Sequence, residues 1–234
     1  MIMLTNAEIK EIRSLREKKF RDSLGLFVVE GEKMVQEALM SRFEVVRVIR
    51  REEVGEAVMG KISQLTTPPP VLAVVSKPEP AGLAIERGLY LGLDSVRDPG
   101  NMGTIIRLAE WFGVDTVFMS PDCVEVWNPK VIQSSMGSIF RVRTVNSDLV
   151  DICRRFKAAG MPVYGTFLDG IDIYSQSLSQ DGLIVMGNES NGVSPEVCAE
   201  VSSKLFIPSY GNSKAESLNV AVATAVTLAE FRRR

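Results

Sequence analysis

Five side chains in this sequence have types and spacing that suit chemistry: Asn101 and Arg107 in NMGTIIRLAEWFG, Glu189 in MGNESNG, and Ser217 and Asn219 in ESLNV. Together they supply two amides, a guanidinium, a carboxylate and a hydroxyl. Such groups orient a reactant and stabilise developing charge, but they are poor proton shuttles near neutral pH. Each has an ordinary explanation on its own. Arg107 lies off the apolar helical face of Met102, Ile105, Ile106, Ala109 and Phe112, where a solvated arginine belongs. Asn101, Ser217 and Asn219 suit the starts of helices. Glu189 sits in a turn, where a carboxylate accepts backbone N–H bonds. Their joint occurrence in this order is what those explanations leave over.

Composition narrows the chemistry further. The 234 residues include no histidine, which excludes Ser-His-Asp and Cys-His sites, His-ligated zinc and an imidazole base. Cys123, Cys153 and Cys198 lie far apart without a CxxC pair, so neither a disulfide framework nor a metal site is expected. The start of the chain lacks the profile of a signal peptide. The longest apolar run, VAVATAVTLA at 220–229, is half a membrane span. These features predict a cytoplasmic protein with no membrane segment and no metal.

The positions that must carry the five side chains alternate between strands and helices. Residues 6–19, with Ile9, Ile12 and Leu15 at helical spacing, predict a helix capped by Thr5 or Asn6. Strand LFVVE, helix 32–40, strand EVVRVI, helix 53–63 and strand VLAVV follow. KPEPAG at 77–82 has linker composition, which predicts domains 1–78 and 79–234. Beyond it, strands LYLGLD, DTVFMS, RVRTV, MPVYGTF, LIVMG and KLFIP alternate with helices 101–112, 129–135, 148–159, 195–201 and 218–231. This order predicts an α/β fold with a largely parallel sheet and ligands at the carboxyl ends of its strands. Those ends are rich in Gly, Ser and Asn, the backbone a ligand can approach closely.

Two nucleotide motifs fail. No GxGxxG follows a strand, and Gly187–Gly192, with the glycine spacing of a P-loop, continues Val193-Ser194 instead of Lys-Ser/Thr. The formal charge of −2 gives no general support for nucleic-acid binding. Residues 1–78, however, hold 13 basic and 11 acidic side chains. Arg13, Arg16, Lys18, Lys19 and Arg21 crowd one segment there. Such a cluster holds phosphates at a salt-dependent cost, or is simply a solvated helix face.

The segments DPGNMGTIIRLAEWFGVD, IVMGNESNGVSPEV and IPSYGNSKAESLNVAVATAVTLAE resemble the SpoU (TrmH) family of S-adenosylmethionine-dependent RNA ribose 2′-O-methyltransferases, in the SPOUT superfamily. VWNPKVIQSSMGSIFRV also resembles the family through Asn128, Pro129, Lys130, Ser135 and Gly137, with Gln133 where the family often has Arg. LFVVEGEKMVQEAL resembles the opening of the small ribosomal-protein-like RNA-binding domain of many members.

The resemblance implies a C-terminal trefoil knot and a homodimer with cofactor pockets close to the subunit interface. It implies S-adenosylmethionine held by Thr166, Gly187, Asn188, Ile207, Ser217, Leu218 and Asn219. It places Arg107 at the ribose hydroxyl, with Asn101, Glu189, Ser217 and Asn219 completing the catalytic set. A guanidinium stays protonated far above neutral pH, so an electrostatic role suits Arg107 better than proton abstraction. The first domain, with Arg13, Arg16, Lys18, Lys19 and Arg21, would select the RNA, ribosomal RNA favoured over transfer RNA. The rival readings are a non-catalytic RNA-binding protein of the same fold and a nicotinamide enzyme, the latter without its fingerprint.

Overall fold

The computed structural model describes residues 4–79, 84–211 and 216–233. The chain forms two compact units, Met1–Pro80 with Glu125–Arg141, and Ala81–Val124 with Val142–Arg234. The change of unit between residues 80 and 81 falls in a stretch that is partly outside the described residues. The chain returns to the first unit over Glu125–Arg141.

The first unit runs α1 (Asn6–Ser14), α2 (Lys18–Leu24), β1 (Leu26–Glu30), α3 (Glu32–Met40), β2 (Val45–Arg50), α4 (Arg51–Val54), α5 (Glu56–Ile62) and β3 (Val71–Ser76). Its three strands pair antiparallel in the order β1-β3-β2. Two expected helices are each divided. The helix expected over 6–19 stops at Leu15, a fully buried C-cap, and Glu17 is extended before α2 begins. The helix expected over 53–63 breaks at Gly55, whose φ of 84° a β-carbon disfavours. Ile12, Leu15, Val28, Ile49, Met59, Ile62, Leu72 and Val74 form the core between helices and sheet. Phe27, Phe43, Trp127 and Phe140 make a second, aromatic cluster, with Phe27 and Trp127 centroids 4.7 Å apart. The returning segment supplies Trp127 and Phe140, and its helix α7 (Pro129–Ser135) contacts β1.

The second unit contains β4 (Leu89–Leu93), α6 (Pro99–Trp111), β5 (Thr116–Met119), β6 (Arg143–Asn146), α8 (Leu149–Ala158), β7 (Val163–Asp172), β8 (Gly182–Met186), α9 (Pro195–Cys198), β9 (Ser203–Phe206) and α10 (Val220–Arg232). All its strand pairings are parallel, in the order β6-β5-β4-β8-β7-β9. LYLGL and GLIVM, the adjacent central strands, are buried throughout, as unbroken apolar runs covered on both faces should be. Tyr90, Phe118 and Phe156 pack ring to ring beneath them with Ile152, Cys153, Leu183 and Val185.

Helices α6 and α10 pack together and run in the same direction. Asn219, N-cap of α10, bonds Asn101 in the first turn of α6. At the other end Arg232 donates to the carbonyls of Phe112 (2.8 Å) and Gly113 (2.7 Å), which the end of α6 leaves without helical partners. Each end of this helix pair is therefore pinned by a side chain at an end of α10.

Candidate active site

The site lies at the carboxyl end of the sheet, where β4, β7, β8 and β9 deliver four connecting segments. After β4, Asp94 is 4% exposed and accepts a 2.7 Å bond from Ser194 N, fastening the segment after β8 to the end of β4. Ser95 follows with φ 59°, a left-handed conformation uncommon for a side-chain-bearing residue. Its N–H donates to Ser120 Oγ, and its carbonyl accepts 2.7 Å from Asn188 Nδ2. Asp98 then caps α6, accepting from Asn101 N at 2.8 Å.

The segment 187–192 closes on itself. Asn188 and Gly192 form a two-way bridge, and Asn188 Oδ1 accepts the N–H groups of Ser190 and Asn191. A β-carbon at Gly187 would stand 2.2 Å from Gly192 C, so only glycine fits at the base of this turn. The turn presents Glu189 outward.

Asn101, Glu189 and Asn219 are joined by hydrogen bonds. Asn219 Nδ2 donates to Asn101 Oδ1 at 2.9 Å, and Asn101 Nδ2 donates to Glu189 Oε1 at 2.9 Å. Asn188 Nδ2 stands 3.4 Å from Glu189 Oε2. Three residues separated by 88 and 118 positions thus form one polar chain at the mouths of β4, β8 and α10.

The other expected residues are placed as follows. Arg107 is exposed on α6, six residues or about 9 Å along the axis from Asn101, and its side chain makes no hydrogen bond or ion pair among the described residues. Ser217 and Leu218 are exposed just before Asn219, and Ser217 does not join the chain. Thr166 lies inside β7 rather than at a strand end. Thr166 and Ile171 both pair with Leu205, so Phe167–Gly170 bulges from the ladder. Gly170 is required there, since its β-carbon would lie 2.6 Å from Leu205 C. Lys204 sits 4.7 Å over the Phe167 ring and bonds Asp169, whose hydrogen bond raises the lysine pKa. Ile207 follows β9, half-buried.

These segments fit S-adenosylmethionine. The main-chain N–H groups of Ile207 and Leu218 have no partner among the described residues, Leu218 offers an apolar surface, and Gly187 keeps the turn thin. Thr166, Ile207 and Gly187 follow or lie in the neighbouring strands β7, β9 and β8.

Composition alone gives no reason to single out Asp94, Ser95 or Asp98. The available signal is an acidic residue directly after an apolar strand (Asp94) and another before Pro-Gly-Asn (Asp98), the pattern of a helix cap.

The basic cluster of the first unit is not one face. Arg13 is exposed on α1, its side chain without a hydrogen bond or ion pair among the described residues. Arg16 donates to the Ser63 carbonyl. Lys18 bonds Asp22 at 2.5 Å, and Lys19 bonds Glu17 at 3.0 Å. Arg21 is a correction to the RNA-contact expectation. It is 3% exposed, bonds Glu125 at 2.5 Å and holds the carbonyls of Leu15 and Arg16, so it has no surface to offer a phosphate. Of the tail arginines, Arg232 pins α6, Arg233 pairs with Glu230 and Arg234 lies outside the described residues.

Comparison with known proteins bears directly on this geometry. The SpoU rRNA Methylase family model matches residues 88–229, and the MRM3-like substrate binding domain model matches 6–54. The chain belongs to the SpoU rRNA methylase family. It is 33% identical to a 23S rRNA (guanosine-2′-O)-methyltransferase of Bacillus subtilis, covering 97% of this chain and 96% of that one. It is 31% identical to a 23S rRNA (uridine-2′-O)-methyltransferase of Streptomyces viridochromogenes, covering 82% and 71%. Among solved structures, an AdoMet-bound rRNA methyltransferase from Sinorhizobium meliloti superposes with TM-score 0.90 at 29% identity, covering 99% and 97%. The expected parallel α/β architecture with a small N-terminal domain is borne out. The Asn101–Glu189–Asn219 chain lies within the matched SpoU span.

Proposed function

We propose that this chain transfers a methyl group from S-adenosylmethionine to a ribose 2′-hydroxyl of ribosomal RNA. The family match and its rRNA-methylating relatives support the reaction and the cofactor. The observation that carries the site is the Asn219–Asn101–Glu189 chain at the carboxyl end of the parallel sheet.

When bound, S-adenosylmethionine would supply an already activated methyl and leave as S-adenosylhomocysteine, the 2′-hydroxyl proton passing to solvent. The protein must therefore align the reactants and stabilise the oxygen's developing charge. Asn101 positions the nucleotide, and Glu189 orients Asn101. Arg107, whose cation has no partner among the described residues, stabilises the developing alkoxide or holds the neighbouring phosphate. Thr166, Gly187, Asn188, Ile207, Ser217 and Leu218 hold the cofactor. The 2′-hydroxyl also restricts the substrate to RNA. In the first unit, Arg13, Arg16, Lys18 and Lys19 carry the positive charge that meets RNA phosphates.

Three finer features belong to the same reading. The chain forms a homodimer, supported by the exposure of Trp111 (83%) on α6 and Val222 (50%) on α10. Its C-terminal segment is threaded as a trefoil knot, supported by the return of α10 to α6 after the edge strand β9. It works in the cytoplasm, in keeping with three free thiols.

The test is transfer of labelled methyl from S-adenosylmethionine to separated ribosomal and transfer RNA pools. Alkali-resistant label at one ribosomal RNA dinucleotide is the expected result. Label only in transfer RNA would overturn the substrate assignment. No label in any pool or ribosomal particle, with cofactor bound, would favour a non-catalytic RNA-binding protein.

A further inference from the structure

The side-chain bonds around Asn101 have a direction, and one residue sets it. Asn219 Oδ1 accepts two main-chain N–H groups at the start of α10, Ala221 N at 2.9 Å and Val222 N at 3.3 Å. The oxygen is thereby fixed against the helix, so the Asn219 amide nitrogen must face away from it. That nitrogen meets Asn101, which must turn its own Oδ1 toward it and accept. Asn101 Nδ2 is then directed at Glu189 Oε1, while Glu189 Oε2 faces the nitrogen of Asn188. Each oxygen of Glu189 is opposed by an amide donor, which suits a carboxylate and no other polarity of the chain.

We propose that Asn219 is a positioning residue that locks Asn101 as a hydrogen-bond donor toward the substrate. With Oδ1 held toward Asn219 and one Nδ2 hydrogen on Glu189, the donor Asn101 keeps for the substrate is its second N–H. It can therefore bond a ribose or phosphate oxygen, and a neutral amide is no base for the 2′-hydroxyl proton in either orientation. The N-cap of α10 thus passes a fixed polarity through α6 to the segment after β8. This inference rests on the methyl-transfer reading.

The polarity can be reversed with two substitutions. Aspartate caps helices as well as asparagine does, so Asn219→Asp keeps the start of α10 but offers Asn101 only acceptors. Asn101 then turns over and points its oxygen at Glu189. Glu189→Gln restores a matching chain in the opposite direction, with the introduced amide nitrogen on Asn101 Oδ1 and the introduced amide oxygen facing Asn188. The wild type and the two single and one double variant would be compared by methyl-transfer kinetics on the RNA pool the wild type labels. S-adenosylhomocysteine affinity by calorimetry and thermal melting would be measured beside them.

Asn219→Asp is expected to melt close to the wild type and to lose turnover by about 10- to 100-fold, the scale of two acceptors forced to face each other. The double variant should match Asn219→Asp in turnover or fall below it while melting close to the wild type, because its hydrogen-bond chain is satisfied but turns the Asn101 oxygen, and not its N–H, to the substrate. Unchanged turnover in Asn219→Asp would overturn the proposal, as would a double variant restored to wild-type turnover, which would make a matched chain of either polarity sufficient. Should Asn219→Asp fail to fold, Asn219→Ser keeps a cap without opposing Asn101 and places its hydroxyl donor one bond short of the position from which Asn219 Nδ2 reaches Asn101. It is expected to lose some turnover while binding S-adenosylhomocysteine normally; unchanged turnover there overturns the proposal too. A wild type that binds S-adenosylhomocysteine yet methylates no RNA would instead overturn the functional reading.

Discussion

Arg21 in the first unit and Arg107 in the second are both helical arginines, and the structure treats them oppositely. Arg21 is almost fully buried, with its guanidinium spread over Glu125 and two main-chain carbonyls. Glu125 is also bonded by Lys77 at 2.9 Å, and Lys77 by Asp22 at 2.7 Å, so each charge in that cluster is answered by another. Arg107 is exposed and answered by none among the described residues. A buried cation must be paired to be tolerated, whereas a cation meant for an incoming anion is best left unpaired. The contrast separates an arginine that holds a fold together from one that is available for chemistry.

The strongest way to break the comparison is to remove the partner of the buried arginine. Glu125→Ala leaves Arg21 buried without a carboxylate and should destabilise the first unit by about 3–5 kcal/mol. Urea denaturation followed through Trp127 fluorescence checks it. A loss below about 1 kcal/mol, the scale of an exposed pair, would mean that water reaches Arg21 and that its burial is not essential. The reverse holds for Arg107→Ala, which should leave the melting temperature and S-adenosylhomocysteine affinity unchanged. It should lower turnover by about 10²–10³-fold, the range seen when one preorganised charge stabiliser is removed. Steady-state methyl transfer checks it, and a fall in stability instead of turnover would erase the distinction between the two arginines.

How much of this is legible in sequence follows from distance along the chain. Arg21 reads as a member of a basic cluster because its neighbours Lys18 and Lys19 are basic too. Its partner lies 104 residues away, in a segment that returns to the first unit, and no local pattern announces that return. The division of the expected helix 6–19 has the same origin, since burial of Leu15 as a C-cap is set by tertiary packing. The parallel sheet is legible because unbroken apolar strands alternate with amphipathic helices. Asn101, Glu189 and Asn219 stand out individually as residues at strand ends and helix starts. Their mutual bonds, and the fastening of Ser194 by Asp94, depend on a strand order that sequence alone does not print.

A smaller effect tests the link between cap and site. Asn219→Ala removes both the cap and the donor to Asn101. The lost cap should cost about 1 kcal/mol of stability, measured by thermal denaturation. Ser at the position should recover most of that stability, while its hydroxyl sits one bond short of the place from which Asn219 Nδ2 donates to Asn101. If Ser recovered turnover in full as well, the cap rather than the donor would be the source of the activity loss.

The smallest expected effect concerns Glu8, which is intermediate between the two arginines' situations because it is partly exposed yet paired. Thr5 N and Oγ1 donate to its Oε2, at 2.6 and 2.8 Å, in a capping box, and Arg47 donates to Oε1. The main-chain bond from Thr5 first, then the Thr5 hydroxyl and Arg47, hold the Glu8 carboxyl at about 2, against an ordinary value of 4.5. A carboxyl lowered in the folded state releases its proton more readily there than in the unfolded chain. Its contribution is therefore complete above about pH 4.5 and is lost as pH falls toward 2. Glu8→Gln should flatten the acid limb of stability against pH in that window. Asp22 and Glu200, lowered by their lysine and arginine partners, titrate on the same limb, so the informative quantity is the difference between wild type and variant. A difference that stays constant from neutral pH down to the bottom of that window would show that Arg47 and Thr5 hold Glu8 by packing and not by charge.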